Sequence, residues 1–223
     1  MQTLQSTGSL VHRFFRLRAV FVAVLALSGF WFLGNSLGLA PEPDPIPRRW
    51  ELSIEPGPLR IATVDVPDVG PRAYFYLTYK VTNTSGGDLL FAPSFELATD
   101  QGDVLRSGRD VPAYVTKTLL ESLGNPYLED QISIVGNLLQ GEGNAKEGLV
   151  VWPANSMHLS QLEVYAAGFS GEVKTVDIQD PKTGKPSKVT VRKTLQIRYQ
   201  PPGEIRDQGS RPFDVIEKHW VMR

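Results

Sequence analysis

The chain contains no cysteine among its 223 residues, which excludes disulfide bonds, thiolate metal sites, iron–sulfur clusters and cysteine nucleophiles. Histidine is scarce as well, with three residues. His12 lies beside an apolar segment, so His158 and His219 are the histidines available as catalytic bases, and no G-x-S-x-G motif accompanies them. We therefore predict that the protein is not an enzyme and carries no cofactor.

Clustered positive charge is also missing. Residues 1–40 contain three arginines and no acidic residue, which leaves 20 of the 23 basic residues against 24 acidic residues in the rest of the chain. A domain that is mildly acidic and lacks a basic stripe cannot gain affinity by releasing counterions from nucleic acid. We expect no nucleic-acid partner.

One long apolar run is present near the N-terminus. Residues 19–33 read AVFVAVLALSGFWFL, and weaker apolar character continues to Ala40, a stretch long enough to cross about 30 Å of hydrocarbon. Basic residues precede it and acidic residues follow it. The positive-inside rule then predicts a cytoplasmic segment 1–18, a transmembrane helix 19–40 and an extracytoplasmic remainder, in the periplasm or outside the cell.

A cleaved signal peptide is the alternative interpretation of this run, because a basic region and an apolar region also characterise such peptides. Cleavage would follow Ala40, and Pro41 in the next position argues against it. Both interpretations place the following domain outside the cytoplasm. We predict that the membrane is a partner through a single-pass anchor.

A proline-rich segment follows. Residues 41–49 read PEPDPIPRR, and four prolines in this stretch favour an extended polyproline II spacer with a reach of roughly 25 Å. The sequence shows no second break of this kind, so residues 50–223 are predicted to form one folded domain.

Alternation of apolar and polar residues indicates that this domain is mainly β. It holds over residues 74–82 and again over residues 189–199, where Lys193 alone interrupts the apolar face. Shorter stretches predict seven more strands, at 60–66, 95–98, 104–106, 148–152, 161–166, 173–178 and 215–221. Many short strands separated by turn residues favour an all-β antiparallel sandwich.

One short α-helix is predicted within the sandwich. Asp110 can cap its start, Pro112 suits its first turn and Gly124 can end it. The stretch 129–148, with four glycines, is predicted to be a mobile loop.

Residues 76–86 read YLTYKVTNTSG, and residues 95–102 read FELATDQG. This strand-and-turn pattern resembles exported bacterial immunoglobulin-like domains of the DUF4352 type, which carry a YxVTNxSG strand followed by a TDQG turn. The resemblance covers residues 60–106 well and the region 147–165 loosely. It implies an immunoglobulin-like sandwich, an N-terminal membrane anchor and a role in display or binding, and it implies no activity.

Two sets of side chains are candidate sites. Tyr74 and Tyr76 fall on the polar face of their strand and suggest a contact surface, unless a second layer or the 110–124 helix covers them. Met157, His158, His219 and Met222 could bind Cu(I) if their strands are neighbours; the alternative is that Met157 packs and His219 is a surface residue.

Two functions follow from these patterns. The first is a non-enzymatic, membrane-anchored extracytoplasmic β-sandwich for binding or assembly at the cell envelope, with an unidentified protein partner, as an accessory subunit of a membrane complex. The alternative is an extracytoplasmic copper-handling domain that uses the Met/His set.

Overall fold

The two segments with the strongest alternation become two of the three longest strands. In the computed structural model, which describes residues 40–180, 184–201, 205, 209 and 211–223, they are β2 (Gly70–Thr82) and β11 (Pro186–Gln200). In β2 the residues at odd positions, from Phe75 to Val81, are buried against the second sheet. This arrangement follows from the two-residue period of a strand.

The first sheet has four strands. These are β1 (Ser53–Val66), β2, β6 (Leu128–Asp130) and β8 (Lys146–Pro153). Their order across the sheet is β1-β2-β8-β6, and all pairs are antiparallel except β6 with β8.

The second sheet has six strands around the long β11. The other five are β4 (Ser94–Thr99), β5 (Val104–Arg106), β9 (Leu162–Ala167), β10 (Val173–Gln179) and β12 (Asp214–Met222). Their order is β10-β11-β9-β4-β5, and β12 also pairs with β11. Leu195 pairs with Ala166 of β9 and with Trp220 of β12, so these two strands flank β11 on opposite edges.

The two sheets share one apolar core. Leu77 and Trp152 of the first sheet and Val164 and Ile197 of the second are at most 1% exposed within it. Because each sheet buries one face against the other, the arrangement is a β-sandwich. The predicted mainly-β fold with one inserted helix is confirmed, and each of the nine predicted strands overlaps an observed one.

The helix α1 (Ala113–Leu123) covers the outer face of the first sheet. Its buried residues Val115 and Leu119 pack in a second apolar cluster with Val64 and Val151. Gly124 ends the helix with φ 62°, as predicted. The predicted cap is wrong, because Pro112 occupies the N-cap position and Asp110 lies two residues earlier at φ 60°.

The stretch 129–148 is not a free loop, so that prediction is wrong. It contains the end of β6 and all of β7 (Gly136–Leu138), which pairs with β3 (Leu89–Phe91). Ile134 and Leu138 in this stretch are fully buried. Strands of three residues are too short to show a period in the sequence.

Packing requires one of the glycines in the stretch 129–148. Gly148 pairs with Tyr79 across the sheet, and an added Cβ would lie 2.6 Å from the Tyr79 hydroxyl oxygen. The Tyr79 ring cannot move away, because Phe95 and Phe169 contact it with ring centroids 4.7 and 5.8 Å away.

We expect Gly148→Ala to lower the free energy of unfolding by about 1–3 kcal/mol, as overpacking does in a dense core. Gly143→Ala is the matched control, because a Cβ there meets nothing within 4 Å, and it should change stability by less than about 0.5 kcal/mol. Urea unfolding followed by circular dichroism measures both. Equal stability of the two variants would contradict the packing argument.

Candidate functional site

The proline-rich segment lies against the sandwich. Lys174 donates hydrogen bonds to the carbonyl oxygen of Glu42 and to the carboxylate of Asp44, the latter at 2.8 Å. The backbone N–H of Asp44 donates to the Glu172 carboxylate, also at 2.8 Å. We name the segment 40–47 together with Glu51, Glu172, Lys174 and Lys193 the N-terminal corner.

The predicted 25 Å spacer is therefore wrong for residues 41–47. Residues 40–223 form one compact unit that includes them. Proline removes backbone donors but leaves every carbonyl oxygen free to accept, so a lysine side chain can hold such a segment on a surface.

Lys193, which interrupts the apolar face of its strand in the sequence, lies at the centre of the corner. Its side chain is 5% exposed, and its Nζ lies 2.7 Å from a Glu51 carboxylate oxygen and 3.7 Å from one of Glu172. The same Nζ is 5.2 Å from the centre of the Trp220 ring. A buried ammonium group requires such partners, because its desolvation is otherwise uncompensated.

Two short backbone contacts bring these groups together. The N–H of Leu52 donates to the carbonyl of Phe169, and the N–H of Gly171 donates to the carbonyl of Trp50. A Cβ on Gly171 would lie 2.5 Å from Nε1 of the Trp50 indole, so only glycine allows this approach. The contacts place Glu51 beside the turn that carries Glu172.

The ion pair between Asp44 and Lys174 persists at neutral pH. The hydrogen bond from Lys174 holds the pKa of Asp44 below its ordinary value, and the same bond raises the pKa of Lys174. Both groups are therefore charged well to either side of neutrality, so their attachment of the segment is independent of pH over the physiological range.

A groove of about 620 Å³ lies between the segment and the end of β12. His219, Trp220 and Met222 line it together with the prolines of the segment. Within the described ranges no group of three or more His, Asp or Glu side chains could hold a metal ion. The corner is suited to holding a peptide segment by charge and apolar contact.

The four predicted copper ligands do not converge. The carbonyl of His158 accepts a hydrogen bond from Gln101, in the turn after β4, whereas His219 lies on β12. In the order β12-β11-β9-β4, three spacings between neighbouring strands separate β12 from β4 by about 14 Å. Metal–nitrogen bonds are near 2 Å, so side chains at these two places cannot share one ion. The copper hypothesis for this set is therefore wrong.

Each member of that set has another environment. Met157 packs against the main core, and Met222 is 3% exposed. Nδ1 of His219 lies 3.2 Å from the Glu217 carboxylate on the same strand. Alternation within β12 places His219 and Met222 on opposite faces of the sheet.

The two tyrosines that were predicted to form a contact surface differ in their exposure. Tyr74 is 5% exposed and packs in the cluster beneath α1, so the helix covers it and it offers no contact surface. Tyr76 is half-buried and lines a groove of about 760 Å³ with Ile61, Arg72 and Met157. Tyr76 remains a candidate contact residue.

Apolar side chains on the small β3–β7 sheet were not singled out from the sequence. Leu90 of β3 is 73% exposed, and Val135 and Leu139, which flank β7, are 48% and 47% exposed. Leu138, between two of them, is fully buried. Residues 134–139 read IVGNLL, and nothing in this short segment distinguishes its buried residues from its exposed ones.

In the part of the chain that the structure describes, no helix is long and apolar enough to cross a membrane. The predicted membrane segment lies outside the described residues except for Ala40. No family model, curated protein or solved structure matches the chain. The resemblance to the DUF4352 type stays a prediction.

Proposed function

We propose that the protein is a non-enzymatic β-sandwich, immunoglobulin-like in class and anchored by residues 19–40, that serves binding or assembly at the cell envelope. Its domain is outside the cytoplasm, and its partner is a protein of a membrane complex. Exposed apolar groups at Leu90, Val135 and Leu139, together with the Tyr76 groove, support a binding role, since such groups mark contact sites.

The attachment of the segment 40–47 to the domain carries this proposal. That segment directly follows the apolar run, and its contacts with Lys174 and Glu172 hold it on the domain, so few residues connect the domain to the proposed anchor. A domain joined to an anchor by so short a connection meets membrane-bound partners at high effective concentration. This effect favours an accessory subunit.

We expect the tagged full chain to be recovered from membranes only after mild detergent treatment and to bring a stoichiometric partner with it. An apolar anchor of this length resists high salt, whereas a peripheral protein is released by it. Membrane fractionation followed by affinity purification measures both properties.

The control is the variant Leu25→Arg with Leu27→Arg, which places two charges in the apolar run and should abolish membrane retention. Recovery of the unaltered chain in the soluble fraction, or with an N-terminus at Pro41, would refute the anchor. Recovery as a lone monomer would refute the assembly role.

A further inference from the structure

One edge of the second sheet has no neighbouring strand. In the described part of the chain, β12 pairs with β11 on one side and with no strand on the other. Arg192 and Arg223 exchange both of their backbone hydrogen bonds, at 2.7 and 3.0 Å. Because hydrogen-bonded pairs alternate in an antiparallel ladder, Lys218, Trp220 and Met222 point their N–H and C=O groups away from β11. Such a row of backbone donors and acceptors is a template for another strand.

The groove of about 620 Å³ in the N-terminal corner runs along this edge. Four consecutive residues of β12, from His219 to Met222, line it. Alternation places His219 and Val221 on the outer face of the sheet, whereas Trp220 and Met222 are on the face toward the core. A groove that touches both faces of one strand must follow the edge of that strand. Its volume is in the range of sites that enclose a ligand.

The proline-rich segment 40–47 forms the opposite wall of the groove and does not pair with β12. Prolines at positions 41, 43, 45 and 47 have no N–H group, and the N–H of Asp44 is bonded to Glu172. Within the described ranges no backbone hydrogen bond joins the segment to β12. Contacts with Lys174 and Glu172 hold this wall in place, so ligand binding requires less ordering of the protein.

The apolar and charged groups of the groove define the chemistry of its ligand. The Trp220 side chain and the prolines supply apolar contact. Asp44 and Glu51 also line the groove, and each carboxylate is paired with a lysine. Glu42 is exposed there and accepts the Lys174 hydrogen bond through its carbonyl oxygen. Its carboxylate is therefore available to a basic side chain of the ligand.

We propose that a partner protein adds an extended strand to the free edge of β12 and places a lysine or arginine beside Glu42. The inference deepens the binding role proposed above, because it names the surface and the form of the partner. Backbone hydrogen bonds to Lys218, Trp220 and Met222 supply affinity, and the walls of the groove supply sequence preference. A strand that spans these residues extends over about 14 Å.

Lys218→Pro tests the free edge directly. The N–H of Lys218 points away from β11, so proline there removes a donor that an added strand uses and keeps the existing ladder. Lys218→Ala is the matched control, because it removes the same side chain and keeps the N–H. The probe is a library of random dodecapeptides displayed on phage and selected against the full chain in mild detergent.

We expect the selected peptides to be rich in Lys, Arg and β-branched residues and poor in proline. By fluorescence anisotropy, synthetic copies should bind Lys218→Pro about tenfold more weakly than the unaltered chain, and Lys218→Ala within about twofold of it. Glu42→Gln should weaken the basic peptides by about two- to fivefold. A selection that yields no peptide overturns the proposal, and so do peptides that bind Lys218→Pro as tightly as Lys218→Ala.

A second measurement does not depend on the folding of the proline variant. One selected peptide is N-methylated at alternate residues, first in one register and then in the other, and both forms are tested on the unaltered chain. Only every second N–H of a strand faces its neighbour. One form should therefore lose binding by about tenfold or more, and the other should stay within about threefold of the parent peptide. Equal losses from both forms overturn strand addition.

Three outcomes distinguish this inference from the proposed function. A full chain that is dimeric, and that becomes monomeric in Lys218→Pro, shows that the edge binds a second copy, which overturns a separate partner. A stoichiometric partner that copurifies equally with Lys218→Pro and with the unaltered chain overturns the site and leaves the assembly role standing. Peptides that bind the edge of a chain without any copurifying partner support the site and refute the assembly role.

Discussion

Replacing Lys193 by alanine is expected to lower the free energy of unfolding by about 3–5 kcal/mol, the range seen when one member of a buried ion pair is removed. Glu172, whose side chain is 7% exposed, would be left without its buried cation, and Glu51 would lose a contact of 2.7 Å. The variant also removes the ammonium group from the Trp220 ring. Urea unfolding of the full chain, followed by circular dichroism, measures the loss.

Two further variants identify the cause. Lys188→Ala removes an exposed lysine from the same strand and should change stability by less than about 0.5 kcal/mol. Lys193→Met combined with Glu172→Gln keeps the volume while removing both buried charges, and should recover most of the loss. If the double variant is as unstable as Lys193→Ala, uncompensated charge is not the reason.

The protein is expected to lose stability steeply above about pH 10, because two core tyrosines retain their protons in the folded state. Burial raises the pKa of Tyr79 and of Tyr199 well above the ordinary value of 10.0, with a smaller contribution from Glu129 at Tyr79. Their side chains are 2% and 0% exposed. A charged phenolate there would lack water.

The sign of this pH dependence follows from the linkage between proton binding and folding. The folded chain binds these protons more tightly than the unfolded chain, so the contribution to stability is complete below the unfolded pKa and declines as the pH rises toward the folded values. Two such groups give a slope of about 2.7 kcal/mol per pH unit in this range. Between about pH 8 and about pH 11 the loss from them is about 3 kcal/mol.

The control is the double variant Tyr79→Phe, Tyr199→Phe. Neither hydroxyl has a hydrogen-bond partner in the described residues, so phenylalanine preserves the packing at little cost. Over the same pH range the variant should lose about 3 kcal/mol less than the unaltered chain. Parallel pH profiles for the two proteins would contradict the assignment, since lysines and surface tyrosines titrate equally in both.

Local patterns account for what was predicted correctly. Alternation over 74–82 and 189–199 identified the central strands, because a strand half-buried in a sheet imposes a period of two residues on its sequence. Gly124 identified the end of the helix, because few other residues adopt its φ of 62°. Lys193 was visible as the one polar residue on an apolar face.

The wrong predictions concern contacts between parts of the chain that are distant in the sequence. Tyr74 looked like a contact residue because its strand has a polar face, but the helix α1, which comes much later in the chain, covers it. The four Met and His residues looked like a set, but the strand order separates them. The proline-rich segment looked like a spacer, and contacts with Glu172 and Lys174 hold it on the domain.

The sequence by itself determined the β class, the central strands, the helix end and the exclusion of cysteine chemistry from any site. The β class, the central strands and the helix end depend on neighbours within about ten residues, because periodicity and backbone preference act over that distance. Only the tertiary structure decided the attached segment and the buried ion pairs at Lys193. Both depend on contacts between residues far apart in the chain, such as Asp44 with Lys174, and no local pattern records them.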